Sequence, residues 1–112
     1  MSVFVLILVL ECRTTKRGLD YRGKLSTTNM GRTCQAWSVL TPHNHKFQRE
    51  LLTEKNYCRN PDNTSGGPWC YTTDVSQRWE FCDVPYCGMY FKTDLQKNII
   101  FGYFLLLNRN RE

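Results

Sequence analysis

The chain has 112 residues, with 15 Lys or Arg against 10 Asp or Glu, so its formal net charge is +5 at neutral pH. This length favours a single domain. The positive surplus is dispersed except for a cluster at Arg13, Lys16 and Arg17, and it lacks the density of a nucleic-acid-binding face. A basic balance can favour binding to sulfated glycans or anionic membranes, although a solvated surface is the simpler interpretation.

Residues 1–11 form the first recognisable segment and read MSVFVLILVLE. The apolar run at positions 3–10 has the length of a signal-peptide hydrophobic region and is too short to span a bilayer. No basic residue precedes it, and no small-residue cleavage site follows before Cys12. We expect either an incomplete export signal or the end of a truncated gene model.

Six cysteines, all between residues 12 and 87, dominate the middle of the chain. Successive cysteines are separated by 21, 23, 11, 11 and 4 residues, so the closely spaced pairs typical of zinc sites do not occur. An even number of cysteines in a span too short for a large core predicts disulfides, which persist in oxidising compartments. The spacing alone does not choose the pairing.

Glycine, proline and short polar runs interrupt residues 12–87 at close intervals, and no stretch has a sustained helical period. Clusters of aromatic and β-branched residues predict short strands at residues 68–73 and 78–82. Residues 48–55 are a candidate helical turn. The predicted fold class is small and disulfide-rich, with mostly irregular loops and a few short antiparallel strands.

The most informative motif is YCRNPDNTSGGPWC at residues 57–70, which combines turn residues with flanking cysteines and an aromatic pair. In an extended segment, Trp69 and Tyr71 would share one face. The motif closely resembles the kringle family. Further similar stretches are DYRG at 20–23, CQAW at 34–37, TPH at 41–43 and RWEFCDVP at 78–85. The resemblance covers residues 12–87 and is nearest to plasminogen-like kringles.

The resemblance supplies a disulfide pairing that the spacing leaves open. Kringles join the first cysteine to the sixth, the second to the fourth and the third to the fifth. The pairs implied for this chain are Cys12–Cys87, Cys34–Cys70 and Cys58–Cys82.

The resemblance also implies a ligand pocket. Many kringles bind lysine-like ligands, holding the ammonium group with carboxylates, the stem with aromatic rings and the carboxylate with a cation. The matching positions here are Asp62, Trp69, Tyr71, Arg78 and Trp79.

Two departures from the family pattern affect this pocket. Lysine-binding kringles carry Asp-x-Asp where this chain has Asp62, Asn63 and Thr64, so the second carboxylate is missing. The loop from Pro42 to Cys58 is also about five residues shorter than the family's, which leaves the placement of Lys46 open. A charge-assisted hydrogen bond is about twice as strong as a neutral one, so we expect weak binding.

Asn63, with Ser65 two residues later, forms an N-glycosylation sequon beside the expected pocket. His43 and His45 are more simply explained by packing than by metal binding, because no third ligand is evident. Trp37 is expected in the core. The sequence predicts no metal, no cofactor and no catalytic residue, and its scattered carboxylates support no acid–base pair.

The last segment, residues 88–112, contains a nine-residue apolar run at 99–107. As a helix this run would rise about 14 Å, which is less than half of a bilayer's hydrocarbon core. We expect an unstructured tail or mis-annotated coding sequence and no membrane span. Association of this run with an interface or another chain is the alternative.

The sequence therefore predicts a secreted, non-catalytic kringle that binds extracellular proteins or peptides with exposed lysines. It could be a fragment of a plasminogen-like protein whose full chain carries a serine protease domain. The alternative is a structural or protein-docking kringle with a vestigial lysine pocket, as in growth-factor or receptor ectodomains.

Overall fold

The computed structural model of the protein describes residues 11–87, so the predictions for residues 1–10 and 88–112 lie outside the described residues. Two strands, β1 (Trp69–Tyr71) and β2 (Trp79–Phe81), pair in an antiparallel hairpin. Trp69 lies opposite Phe81, and Tyr71 lies opposite Trp79. The strands fall inside the predicted stretches, so this prediction is confirmed. Aromatic side chains consequently occupy both strands of the hairpin and supply its packing.

A buried threonine shapes the connection between the strands. Thr72 is fully buried, and its hydroxyl accepts a hydrogen bond from the Asp74 amide and donates one to the Gln77 carbonyl. The Thr72 amide donates to the Arg78 carbonyl at 3.0 Å. Side-chain bonds of this kind satisfy backbone groups that a tight loop would otherwise leave unpaired. The connection therefore delivers Arg78 and Trp79 in a defined register beside β1.

The remaining described residues form loops joined by single β-bridges and hydrogen-bonded turns. The candidate helical turn at residues 48–55 is a series of turns, in which the Leu51 amide donates to the Phe47 carbonyl at 2.9 Å. The fold class is therefore the expected one, small and disulfide-rich with few regular elements.

Three disulfides hold these loops, and they join the pairs that the resemblance implies: Cys12–Cys87, Cys34–Cys70 and Cys58–Cys82. The two inner disulfides pack against each other, with the Cys34 and Cys58 sulfurs 3.8 Å apart. The outer one closes the domain where the Arg13 amide donates to the Pro85 carbonyl at 2.9 Å. Each link restricts the unfolded chain, which is how disulfides stabilise domains with small cores.

Trp37 lies at the centre of the core and is 1% exposed, as expected. Its indole nitrogen donates to the Tyr57 carbonyl at 2.7 Å, so the buried polar group is satisfied. Edge-to-face contacts join its ring to those of Trp69, Tyr71 and Phe47. The core ring therefore supports the underside of the aromatic side chains on β1.

A second buried cluster surrounds Arg59, which is 4% exposed. Its guanidinium binds Glu54 at 2.7 Å and donates to the Gly23 and Cys58 carbonyls at 2.9 and 2.7 Å. A buried charge requires such partners, because leaving it unpaired destabilises the fold by an amount on the order of several kcal/mol. Arg59 therefore holds the first loop of the domain against the motif around Cys58.

Glu11, at the start of the described chain, contacts the domain. Its carboxylate accepts hydrogen bonds from the Lys24 amide at 2.9 Å and from the Tyr21 hydroxyl at 3.2 Å. Burial is the main cause that raises the pKa of Tyr21 to about 12, and the nearby Glu11 charge also raises it. The hydrogen bond from the Leu25 amide lowers this pKa and offsets part of the increase. The Tyr21 hydroxyl therefore stays protonated at physiological pH.

Candidate functional site

A cleft of about 320 Å³ opens above the hairpin. All five ligand residues expected from the resemblance line it, together with four others. The complete lining comprises Lys46, Phe47, Asp62, Thr64, Trp69, Tyr71, Arg78, Trp79 and Phe81. Residues separated by as many as 35 positions along the chain thus meet at one site.

The strand register explains the aromatic floor of the cleft. Trp69 and Tyr71 lie two residues apart on β1, so they project to the same face, and their rings meet edge to face at 5.0 Å. Both are more than nine-tenths buried, whereas Trp79 on β2 is 43% exposed. The Trp69 and Trp79 rings are 6.0 Å apart. The result is a floor of two buried aromatic rings with the partly exposed Trp79 ring beside it.

Asn60, which is only 9% exposed, organises the loop that carries Asp62 and Thr64. Its side-chain amide donates to the carbonyls of Arg17 and Thr64 at 2.8 and 2.9 Å, and its oxygen accepts from the Thr64 amide at 2.9 Å. Asn side chains commonly support turns in this way. Asn60 therefore fixes the position of Asp62 and Thr64 at the cleft rim.

Gly67 closes the same loop with a φ of +104°, a conformation that favours glycine. A β-carbon at this position would lie 2.8 Å from the Lys16 carbonyl and would also meet the Arg13 guanidinium. The loop therefore packs tightly on the first turns of the domain, and only glycine fits there.

Asp62 and Arg78 supply charges of opposite sign to the cleft. The Asp62 carboxylate accepts a hydrogen bond from the Trp69 indole nitrogen at 3.0 Å. The Arg78 guanidinium lies 4.9 Å from the centre of the Tyr71 ring and donates to the Asn44 carbonyl at 2.8 Å. Burial raises the pKa of Tyr71; Arg78 lowers it and Asp62 raises it. Tyr71 therefore lies within the influence of both charges.

Four lining residues were not among the expected ligand residues. The sequence singles out two of them, Thr64 as the position of a missing carboxylate and Lys46 as a cation whose placement the shortened loop leaves open. The structure puts Lys46 at the cleft despite the shortened loop, with its ammonium 5.6 Å from the centre of the Phe47 ring. Phe81 could have been found from its position two residues after Trp79, whereas no local signal marks Phe47.

The sequon residue Asn63 lies on the exposed rim next to the cleft, with a left-handed φ of 57°. The Arg17 guanidinium donates to its backbone carbonyl at 2.6 Å and to its side-chain oxygen at 3.3 Å. Arg13, from the same basic cluster, lies over the Tyr86 ring at 4.5 Å and donates to the Lys16 carbonyl. Two members of the basic cluster thus already have partners within the domain.

Both histidines of the H-x-H pair pack within the domain. His45 stacks on Tyr71 with centroids 4.8 Å apart, and its two ring nitrogens contact the Val39 carbonyl and the Phe47 amide. The His43 ring lies 2.9 Å from the Asp74 carbonyl. The inner four cysteine sulfurs lie within 4.8 Å of one another, but each is already bonded in a disulfide.

Three disulfides in this pairing, a short antiparallel hairpin and an aromatic cleft define the class. The kringle-domain family matches residues 12–87, so the chain belongs to the kringle family. A kringle is a protein-interaction module that is non-catalytic by itself.

Among curated proteins, the chain is similar to apolipoprotein(a)-like protein 2 of Homo sapiens. The two are 52% identical over 85 residues, which cover 71% of this chain and 62% of the relative. The chain thus matches somewhat less than two thirds of that protein's length.

Between residues 11 and 87, no helix has the length and apolar character needed to cross a membrane.

Proposed function

We propose that this kringle is an extracellular binding module that recognises lysine-like groups of protein ligands with low affinity. The main support for this function is the cleft, which combines two opposite charges with an aromatic floor. The charges are those of Asp62 and Arg78, and the floor comprises Trp69, Tyr71 and Trp79. Apolar rings accommodate the methylene stem of a lysine while its charged end stays polar. An accessible Trp face adds cation–π attraction of about 0.5–2 kcal/mol.

Low affinity follows from Thr64, which lines the cleft where lysine-binding kringles carry a second carboxylate. One lost charge-assisted contact is worth about 1.5–3 kcal/mol, or roughly 10- to 150-fold in affinity. Such a loss moves a micromolar site to the edge of the millimolar range. The missing charge also supports a second candidate function, in which the domain is a protein-docking kringle with a vestigial lysine pocket.

The test is a titration of the unglycosylated domain with 6-aminohexanoate, followed by the NMR signals of the three indole N–H groups. We expect millimolar binding that shifts Trp69 and Trp79, with a smaller change at Trp37, which is buried and bonded to Tyr57. Asp62→Asn should weaken binding at least tenfold, whereas Asp83→Asn, an exposed change outside the cleft, should not. No saturable shift at any accessible concentration would favour the docking candidate.

We further propose that Asn63 carries a glycan that restricts access to the cleft. Asn63 is exposed and its neighbour Thr64 lines the cleft, which supports this placement. Ser65→Ala removes the sequon without changing the asparagine, and Ser65→Thr keeps it. In protein from a secretory host, Ser65→Ala should lose the glycan mass and bind 6-aminohexanoate more tightly than Ser65→Thr. Equal masses would show that the sequon is unused.

We also propose that this domain belongs to a longer, plasminogen-like protein. The similarity to apolipoprotein(a)-like protein 2 supports a place within a plasminogen-like protein. A full-length transcript should extend the reading frame into further kringles or a serine protease domain.

A further inference from the structure

Strand β2 has two edges, and β1 pairs with only one of them. The Thr72 amide donates to the Arg78 carbonyl at 3.0 Å, so these residues form a hydrogen-bonded pair next to the strands. In an antiparallel ladder such pairs alternate with pairs that are not hydrogen-bonded. Trp79 and Phe81, one and three positions after Arg78, therefore direct their backbone N–H and C=O groups away from β1.

The outer edge of β2 retains two unused donors. Its carbonyls have partners, because that of Phe81 accepts from the Asn29 amide at 2.9 Å and that of Trp79 accepts from the Gln77 side chain at 3.0 Å. The Trp79 and Phe81 N–H groups have no acceptor within the part of the chain that the structure describes. The outer edge of β1 differs, since both backbone groups of Trp69 bond a neighbouring segment at 2.8 and 3.0 Å. An unpaired strand edge is a template for another extended chain.

A second cleft, of about 400 Å³, borders this edge. Its lining comprises Asn29, Met30 and the five consecutive residues from Gln77 to Phe81. Met30 is 69% exposed, so apolar surface lies beside the unused donors. The lining shares Arg78, Trp79 and Phe81 with the first cleft, and the two clefts therefore adjoin at the exposed Trp79 ring.

The register determines which side chains of an added strand would face the first cleft. Directly opposed residues of antiparallel strands project to the same face. Trp79 and Phe81, opposite Tyr71 and Trp69, therefore project toward the first cleft. Alternate residues of a strand added to β2 would project to that face as well. Neighbouring strands lie about 4.8 Å apart, so a lysine at such a position would lie against Trp79 at the rim of the first cleft.

We propose that the outer edge of β2 binds an extended segment of a protein ligand by strand addition. Carbonyls of the ligand accept hydrogen bonds from the Trp79 and Phe81 N–H groups, and an alternate side chain brings a lysine to the first cleft. A second copy of this chain fits the site less well, because its own β2 would bring aromatic rings to the cleft in place of a lysine. The inference rests on the proposed function and names the conformation of the ligand segment.

Amide hydrogen exchange, followed by NMR on the unglycosylated domain, tests strand addition directly. The probe is a six-residue peptide, blocked at both ends, in which valine and threonine flank one central lysine. At saturation it should slow exchange of the Trp79 and Phe81 amides at least about fivefold, whereas 6-aminohexanoate should not. The Thr72 and Cys82 amides, which are already bonded within the hairpin, are the internal control and should exchange slowly throughout.

Affinity measures the contribution of the ligand backbone. The six-residue peptide should bind at least about fivefold more tightly than Nα-acetyl-lysine methylamide, because two added backbone hydrogen bonds correspond to at least that factor. Both probes carry the same lysine side chain and no free carboxylate, so they differ only in the flanking chain. Equal affinities would contradict strand addition.

Variants outside the first cleft locate the peptide on the second one. Gln77→Ala frees the Trp79 carbonyl for a ligand N–H group and should tighten peptide binding about twofold or more. Met30→Ala removes apolar surface and should weaken it about threefold. Val75→Ala is the matched control, because Val75 is an exposed apolar residue outside both clefts. All three variants should bind 6-aminohexanoate like the wild type, and an unchanged peptide affinity in both Gln77→Ala and Met30→Ala would place the peptide elsewhere.

The outcomes separate this inference from the proposed function. If 6-aminohexanoate binds and the peptide leaves both amides unprotected, strand addition is wrong although lysine recognition stands. If a peptide with norleucine in place of lysine protects both amides equally and 6-aminohexanoate does not bind, strand addition holds and lysine recognition fails. If no probe binds, both ideas are overturned. Protection in the ligand-free domain that rises with its concentration, together with a dimer in sedimentation, would assign the edge to a second copy and overturn the proposal.

Discussion

The core around Trp37 and the cleft above it differ in how much change each tolerates. In the core, Trp37 is 1% exposed, its polar group is satisfied and two disulfides pack nearby. In the cleft, Trp79 is 43% exposed, and Thr64 occupies a position where lysine-binding kringles carry a charge. We therefore expect the rim of the cleft to accept changes of charge without disturbing the packing that specifies the fold. Substitutions in the two regions should therefore separate stability from binding.

Reduction of the disulfides should have the largest effect and unfold the domain. Three cross-links restrain a described chain with only two three-residue strands, and the entropy model assigns about 3–4.5 kcal/mol to each loop closed singly. Near-ultraviolet circular dichroism should be lost after reduction, and mass spectrometry of the native protein should detect no free thiol. Free Cys12 and Cys87 in exported protein would contradict the pairing.

Paired tryptophan substitutions compare the two regions directly. Trp37→Ala should lower the free energy of unfolding by about 3–5 kcal/mol, because it leaves a cavity under the aromatic floor. Trp79→Ala should lower it by less than about 1 kcal/mol and abolish binding of 6-aminohexanoate. Denaturant unfolding measures both, and Trp37→Phe provides a milder core variant if Trp37→Ala does not fold. Equal destabilisation by Trp37→Phe and Trp79→Ala would remove the distinction between the regions.

Asn60 connects the core to the cleft rim, so Asn60→Ala should affect both properties. Loss of its three hydrogen bonds should cost about 1–3 kcal/mol of stability and release Asp62 from its position. The matched control is Asn56→Ala, which removes a 3.0 Å bond to the Cys34 carbonyl outside the cleft. Calorimetry should show destabilisation of both variants and loss of ligand binding only in Asn60→Ala. Retained binding in Asn60→Ala would mean that the loop does not depend on this side chain.

At the rim itself, Thr64→Asp should change binding without changing stability. A second carboxylate should tighten binding of 6-aminohexanoate by about 10- to 150-fold. The free energy of unfolding should stay within about 0.5 kcal/mol of the wild type, as for most surface substitutions. Thr64→Asp leaves Asn63 and Ser65 in place, so the sequon survives and charge is tested separately from glycosylation. Unchanged affinity in both Thr64→Asp and Ser65→Ala would favour a vestigial pocket.

The smallest expected effect is a dependence of stability on acid pH through Asp74. The Ser76 amide and hydroxyl, followed by Arg32, lower the pKa of Asp74 to about 2 from its usual 3.8. Because the folded pKa is depressed, the contribution of Asp74 is complete above the unfolded value and is lost as the pH falls from about 4 to about 2. Asp74→Asn should flatten the stability curve in that window, and Ser76→Ala should flatten it partly. Identical curves for all three proteins would exclude this contribution.

Local sequence was sufficient to predict the strands and the aromatic floor. The Trp69 and Tyr71 alternation is a pattern of adjacent residues, and it places both rings on one face wherever the segment is extended. The kringle motif around Cys58, with its ordered companions, further implied the disulfide pairing that the structure contains. The strand and floor predictions hold because the chain itself fixes the distances between neighbouring residues, whereas the disulfide pairing came from the family resemblance and not from the spacing.

The charge arrangement at the cleft was decided by the tertiary structure. Whether Lys46 reaches the site depends on the path of a shortened loop, and whether Arg17 approaches Asn63 depends on how two loops distant in sequence pack. The same applies to Phe47, which joins the lining from a turn with no local signal. Sequence determined which chemical groups the domain possesses. Only the packing of loops held by three disulfides determined that two cations and one carboxylate share the cleft, because electrostatic energy depends on distances through space.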